Sequence, residues 1–225
     1  GDHRDLHSFP TRRSSDLSDR RFHSKRIDNA SYNYLTKGIN EAIKKTHIKD
    51  VDRIIDVGSS CGSLLAELER TRSFEKAVGI DFSDYAVEFW QPKDAEIYLR
   101  DMNAEFDIDE ENFDLIICLE VAEHLEAENH LFDFFDKVSH EDSILIFSGA
   151  YPGQRGRGHI NCHWHGYWID ELKKRGWHYN HRATSYFLHE VGKGNNSEIN
   201  VPVCYLNSFV LQKATNSESE DGLRH

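Results

Sequence analysis

Two short segments concentrate the residues that do acid–base chemistry. The first is Glu120-Val121-Ala122-Glu123-His124, E-V-A-E-H, which sets two carboxylates and an imidazole within five positions. Such a group can supply the general base that a hydroxyl or amine acceptor needs. Glu120 and His124 also stand at i, i+4, where a helix cap and an ion pair explain them equally well. The second segment is Gly158–Trp168, GHINCHWHGYW. Its His159, Cys162, His163 and His165 are zinc-ligand types, but they all fall within seven residues, whereas structural zinc sites draw on two separated pairs. No metal ligand is therefore assigned. The other reading gives His159 to an active site, as a base or an acceptor-positioning group, with the aromatic residues Tyr151, Trp164, Tyr167 and Trp168 shaping an acceptor pocket. Trp168 is equally suited to anchoring the following helix. Just upstream, Gly153, Gly156 and Gly158 alternate with Arg155 and Arg157, a glycine-rich cationic loop able to close over an anionic acceptor.

The elements that must position these groups follow from hydrophobic periodicity. A helix is expected from about Asn29, with Leu35, Ile39, Ala42 and Ile43 on one face. Strand-like runs then appear at Arg53–Val57, Lys76–Asp81, Glu96–Leu99, Asp114–Leu119 and Ser143–Ser148. Helical patterns separate them at Gly62–Arg70, Tyr85–Trp90 and His130–Val138, and a further helix is expected at Tyr167–Arg175, stopped by Gly176. Two β-type runs, Arg182–His189 and Val201–Leu211, are expected to close the sheet. Short strands that are apolar on both faces and alternate with helices are the pattern of a doubly wound α/β sheet, buried on both sides.

At the end of the first strand run stands Asp56, followed by Gly58-Ser59-Ser60-Cys61-Gly62 and a helix. Ligands of open α/β sheets bind at such a turn. The segment resembles motif I of the class I S-adenosylmethionine-dependent methyltransferases, D-x-G-x-G-x-G, with Ser60 where the middle glycine is expected. A serine suits the turn if its torsions are not strictly left-handed. Asp81 ends the second strand, 25 residues after Asp56, where an acid accepts hydrogen bonds from ribose hydroxyls; Ile80 and Phe82 flank it as an adenine sandwich would require. The resemblance further assigns Asp101 to the adenine amino group, Met102 to the adenine ring face, and Leu119 and Glu120 to the methionine end. It implies a Rossmann-like, seven-stranded, mostly parallel sheet with helices on both faces, and S-adenosyl-L-methionine as cofactor. A nicotinamide-dependent oxidoreductase would instead want G-x-G-x-x-G and a pyrophosphate on the helix N-terminus. Only Gly58 and Gly62 are present, and Asp56 would repel a pyrophosphate while suiting an ammonium group. A SAM-binding module without catalysis is the other alternative.

The second chemical segment resembles G-H-I-N-x-Q-P-x-x-Y-W, found in a group of class I methyltransferases that often occur near sugar and cell-envelope genes. His159, Asn161, Tyr167 and Trp168 match, while His163 and Trp164 replace the glutamine and proline. The resemblance implies a small-molecule or glycan-linked acceptor, methylated on oxygen or nitrogen, contacted by Tyr151, Asn161, His163 and Tyr167. His159, Glu120 and His124 are the expected catalytic residues.

Composition agrees with an ordinary globular protein: 225 residues, 38% hydrophobic and 29% charged. A net charge of -12 argues against broad nucleic-acid binding, which needs a basic surface. Nothing approaches the ~20 apolar residues of a membrane span. The four cysteines, Cys61, Cys118, Cys162 and Cys204, form no CxxC pair, so reduced thiols and a cytoplasmic location are expected. Gly1–Leu17, GDHRDLHSFPTRRSSDL, resembles the conceptual translation of a common sequencing-library adapter, so the natural sequence is expected to begin at Ser18. The expected domain is 18–213, followed by a polar, disordered tail, Ala214–His225.

Overall fold

The computed structural model describes residues 31–48, 50–194 and 203–213. The expected adapter-derived segment 1–17 and the tail 214–225 lie outside them. The chain begins with helix α1 (Ser31–Lys44), then β1 (Arg53–Val57), α2 (Ser63–Glu69), β2 (Lys76–Asp81), α3 (Asp84–Glu88) and β3 (Glu96–Leu99). It continues through β4 (Phe113–Leu119), a 3₁₀ turn (Ala122–His124), α4 (Asn129–Val138) and β5 (Ser139–Ser148). Helix α5 (His165–Lys173), β6 (Trp177–Tyr179), α6 (His181–Lys193), a second 3₁₀ turn (Val203–Asn207) and β7 (Phe209–Lys213) complete it.

The strands form one seven-stranded sheet in the order β3-β2-β1-β4-β5-β7-β6. The pairs among β1 to β5 are parallel, and β7 runs antiparallel to both β5 and β6. This is the expected class I methyltransferase architecture. Side chains of a strand alternate between faces, and here both faces are buried. Ile116 and Cys118 of β4, with Leu145 and Phe147 of β5, pack under α4 and α5 together with Phe132, Phe135 and Trp168. Leu115, Ile117, Ile144 and Ile146 face the other way, against Leu35 and Ile39 of α1 and Phe187 and Val191 of α6. Among the described residues, no helix is long and apolar enough to cross a membrane.

Two expectations near the C-terminus need correction. Arg182–His189 is not a strand but the middle of α6. Its β-branched and aromatic composition favours a strand, but Ala183, Phe187 and Val191 recur at i, i+4, i+8 and are all fully buried. Asn180 caps this helix, its side-chain oxygen accepting a hydrogen bond from the Ala183 amide at 2.8 Å. The missing strand is Trp177–Tyr179, a three-residue edge directly after the stop signal Gly176. In the run Val201–Leu211, residues 201 and 202 lie outside the described set; Val203–Asn207 is a 3₁₀ turn, and the strand starts only at Phe209.

The cap gives a direct check on α6. Asn180→Ala should lower stability by about 1 kcal/mol, read as a shifted urea midpoint with an unchanged slope; no loss would mean that Asn180 does not begin a helix.

Candidate active site

The parallel register brings the C-terminal ends of β1 to β4 to one edge of the sheet. Asp56 pairs with Gly79 and Ile117, Asp81 with Leu99, and Val57 with Cys118. The acids therefore follow one another as Asp101, Asp81, Asp56 and Glu120 along the edge where open α/β sheets take their ligands. The turn after β1 is built from alternating left-handed residues, Gly58 (φ 81°), Ser60 (φ 51°) and Gly62 (φ 73°). Ser60 is thus left-handed, contrary to the expectation that let serine stand for glycine. A non-glycine residue there costs on the order of 1–2 kcal/mol, and a hydrogen bond helps to hold it: the Ser60 amide donates to Asp81 Oδ2 at 2.8 Å. Asp81 Oδ1 accepts from the Ser83 amide at 2.9 Å. Gly58 and Ser59 both donate to the Ile80 carbonyl, at 2.8 and 2.9 Å. Gly58 has no room for a side chain, since a Cβ there would meet Val121 at 2.3 Å.

Around this turn, Cys61 is buried with its sulfur 3.3 Å from Ser63 Oγ. Phe82, next to Asp81, is 65% exposed, an apolar ring left open beside a buried carboxylate. Asp101 is exposed and accepts from the Asn103 amide at 3.0 Å, while Met102 is buried in the core below it. Leu119 is half-buried at the end of β4. The donor-poor, acid-rich set suits a cationic ligand with hydroxyl groups, and the buried, hydrogen-bonded Asp81 is placed to accept from them.

The next residue, Glu120, has φ 59°, a costly conformation for a residue with a Cβ and one typical of functional sites. Its amide donates to Ser148 Oγ at 3.0 Å, Ser148 Oγ donates to its Oε1 at 2.9 Å, and Gln154 Nε2 donates to its Oε2 at 3.0 Å. Burial pushes this carboxyl above its ordinary range against the pull of those two donors. Glu123 is fully buried, and neither of its oxygens has a hydrogen-bond partner of good geometry among the described residues. Burial, and then the neighbouring Glu120 charge, push Glu123 up to about 8.

The structure joins the two chemical segments of the sequence. The Glu123 carbonyl accepts from the amides of Ile160 and Asn161 at 2.9 and 3.0 Å, pinning the loop after β5 to the 3₁₀ turn after β4. His159 Nε2 consequently lies 4.0 Å from Glu123 Oε1. His159 Nδ1 is 3.3 Å from the Gln154 carbonyl, and His124 Nδ1 is 3.1 Å from the Gly158 carbonyl. The two imidazoles meet edge to face at 4.9 Å. Ligand-type atoms of Glu123, His124 and His159 lie within 4.8 Å of one another. His159 is closed in from the loop side, for a Cβ on Gly156 would fall 1.9 Å from its Nε2.

Asn161, His163 and Tyr167 converge on Glu128, which sequence reasoning did not single out. Glu128 accepts from the Tyr167 hydroxyl and, at 2.9 Å, from Asn161 Nδ2. His163 Nε2 donates to Asn161 Oδ1 at 2.8 Å, and its ring stacks on Tyr167 at 3.8 Å. Burial would raise the Glu128 carboxyl, but the Tyr167 and Asn161 donors outweigh it and hold it below the ordinary range. The same bond pushes the Tyr167 phenol up to about 12. The one sequence signal for Glu128 was its place just before α4. His165 turns away to pack on Phe209, so His159, Cys162, His163 and His165 do not assemble as one cluster. Tyr151 and Trp164 stand at the rim, rings within 10° of parallel, with Trp164 66% exposed. Trp168 is wholly buried against Phe132 and Phe147.

Residues 55–147 match the family model described as a methyltransferase domain. A search of curated protein sequences gives no significant match. Among solved structures, the plantazolicin methyltransferase BpumL in complex with SAH aligns with TM-score 0.63 and 16% identity over 89% of this chain and 92% of that one. A chain of the Haloferax volcanii complex containing the Trm112 methyltransferase activator aligns with TM-score 0.60 and 11% identity, over 89% and 95%. The [4+2]-cyclase SpnF aligns with TM-score 0.57 and 13% identity, over 81% of each. The solved structures establish the class I methyltransferase fold, and the match of residues 55–147 to a methyltransferase domain marks the chain as an enzyme on that fold.

Tyr167→Phe should cost about 1.5–3 kcal/mol at neutral pH, the range for a hydrogen bond to a charged group. Glu128 is held low in the folded state, so its contribution is present above the ordinary value of 4.5 and is lost as pH falls through the lowered value. The gap between wild type and variant in urea unfolding should therefore narrow on acidification below that value; a gap independent of pH would show that the Tyr167 bond does not act on an ionised Glu128.

Proposed function

We propose that this enzyme methylates an oxygen or nitrogen atom of a small-molecule or glycan-linked acceptor in the cytoplasm. The methyl donor is S-adenosyl-L-methionine. The observation that carries the cofactor side is the buried Asp81 carboxylate, oriented by the Ser60 and Ser83 amides beside an exposed aromatic ring. Asp81 accepts from the ribose hydroxyls, Phe82 and Met102 border the adenine with Asp101 at its amino group, and Asp56, Leu119 and Glu120 border the methionine end. The turn Gly58–Gly62 brings backbone close enough to line this ligand. When bound, the cofactor supplies a methyl group on a positively charged sulfur, so transfer needs alignment above all.

The acceptor side is read from the loop after β5. Tyr151, Asn161, His163 and Tyr167 bound the acceptor, and Glu128 holds the last three in one arrangement. His159 removes the acceptor proton. A carbonyl only accepts, so Nδ1 carries the hydrogen shared with Gln154, and Nε2 of the neutral ring is the free base. Glu120 and His124 complete the polar wall. In-line alignment with a positioned base is what a hydroxyl or amine acceptor requires.

Calorimetry with S-adenosylhomocysteine tests the cofactor side. Asp81→Ala should weaken binding about tenfold or more, as expected for losing hydrogen bonds to a charged acceptor. Equal affinity would remove Asp81 from the site, and tighter binding of NADH than of S-adenosylhomocysteine would replace the reading with an oxidoreductase.

A further inference from the structure

Among the described residues, Glu123 is a buried carboxyl to which this reading gives no task. Its surroundings are unusual in physical terms. The side chain is fully buried and both oxygens lack a hydrogen-bond partner of good geometry among the described residues. A buried carboxylate without donors is costly, so such groups are protonated or face a cation. The imidazole at 4.0 Å, His159, presents Nε2, which carries a lone pair in the neutral ring because Nδ1–H is directed at the Gln154 carbonyl. Pushed up to about 8, Glu123 keeps its proton at neutral pH, so an undissociated carboxyl faces that lone pair across the gap. His124 does not fill the gap in the same way, since its Nδ1 is directed at the Gly158 carbonyl.

We propose that Glu123 is the positioning residue of His159, the pair acting as one acid–base unit in which the proton taken from the acceptor sits between them. The inference rests on the reading of His159 as the base. As the acceptor's X–H bond breaks, its proton goes to His159 Nε2. The X–C bond forms while the C–S bond breaks, its electron pair passing to sulfur. Where Glu123 is ionised, above about pH 8, the imidazolium so formed faces its carboxylate, and a buried charge becomes a buried ion pair. Glu123 therefore faces the transient proton on His159 without touching the acceptor.

The groups facing Glu123 support a single shared proton. Glu120, hydrogen-bonded to Ser148 and Gln154, opposes a second negative charge beside it, which helps to push Glu123 up to about 8. Cys118 on β4 and Cys162 in the loop have thiols raised by burial and, less, by the charge of Glu123, so they carry no compensating charge. Gly156 closes the loop side of His159, where a Cβ would fall 1.9 Å from Nε2.

The pair is tested without turnover. Nitrogen-15 NMR of the histidine side chains in the full chain should show an inflection near pH 8 in the His159 ring signals, reporting Glu123, and Glu123→Gln should abolish it. In the same variant kcat should fall about a hundredfold, the scale of a positioned base, with affinity for S-adenosylhomocysteine unchanged. Glu123→Asp should restore part of the rate. A His159 signal with no inflection near pH 8 in the wild type overturns the proposal, and that result stands even if Glu123→Gln fails to fold. An unchanged inflection in a folded Glu123→Gln also overturns it. Loss of activity in His159→Ala with a normal wild-type inflection supports both readings; an inflection with no effect of His159→Ala keeps the pair and removes only the catalytic role.

Discussion

The bond between the Asp81 carboxylate and the Ser60 amide is the constraint around which the cofactor edge is organised. A left-handed serine is unfavourable by itself, and a buried acid is unfavourable without donors. Each answers the other. Because Ser60 belongs to the turn after β1 and Asp81 to the end of β2, their bond fixes the spacing of two strand ends that the ladder alone would leave to loop geometry. The paired donation from Gly58 and Ser59 to the Ile80 carbonyl reinforces it. Gly58 then allows Val121 to pack directly on the turn, which carries the same constraint to the segment after β4.

From Val121 the chain enters the 3₁₀ turn whose Glu123 carbonyl receives the Ile160 and Asn161 amides. A loop of more than a dozen residues between β5 and α5 would otherwise have few fixed points. Here it is held at the Glu123 carbonyl, at Ala150, which accepts from the His163 amide at 3.1 Å, and at Glu128. Acid–base residues distant in sequence thereby share one small volume. Burial there raises the proton affinity of both Glu120 and Glu123, and the Glu120 charge adds to it at Glu123.

The sheet's parallel half was legible because its strands are short, apolar on both faces and separated by amphipathic helices. The strand bounds of β1, β2 and β3 agree residue for residue with the periodicity. The C-terminal quarter was harder for two physical reasons. A three-residue edge strand such as Trp177–Tyr179 is too short to display a period. Helix α6 carries Thr184, Ser185, Tyr186 and Phe187 in a row, a composition that masks its i, i+4 pattern. At the site, residue types at strand ends could be read from spacing. The closeness of His159 to Glu123 could not, because it depends on backbone hydrogen bonds between two loops that leave no mark on side-chain identity. Glu128 was hidden for a similar reason: a single acid before a helix reads as a capping residue until its partners are known.

The sheet order has a consequence for how the molecule comes into being. β7, the last strand among the described residues, lies between β5 and β6. While the chain is being synthesised, β6 therefore has no neighbour to pair with until residues 209–213 have left the ribosome, and β5 keeps an open edge for the same interval. The parallel half can assemble earlier, since β1 to β5 and their helices precede it in order. Completion is thus a late event with a large sequence separation, the kind of step that is slow and leaves a strand edge exposed to wrong partners. This strand works as a closing wedge: a chain that stops before residue 209 has most of its cofactor edge on an unfinished sheet.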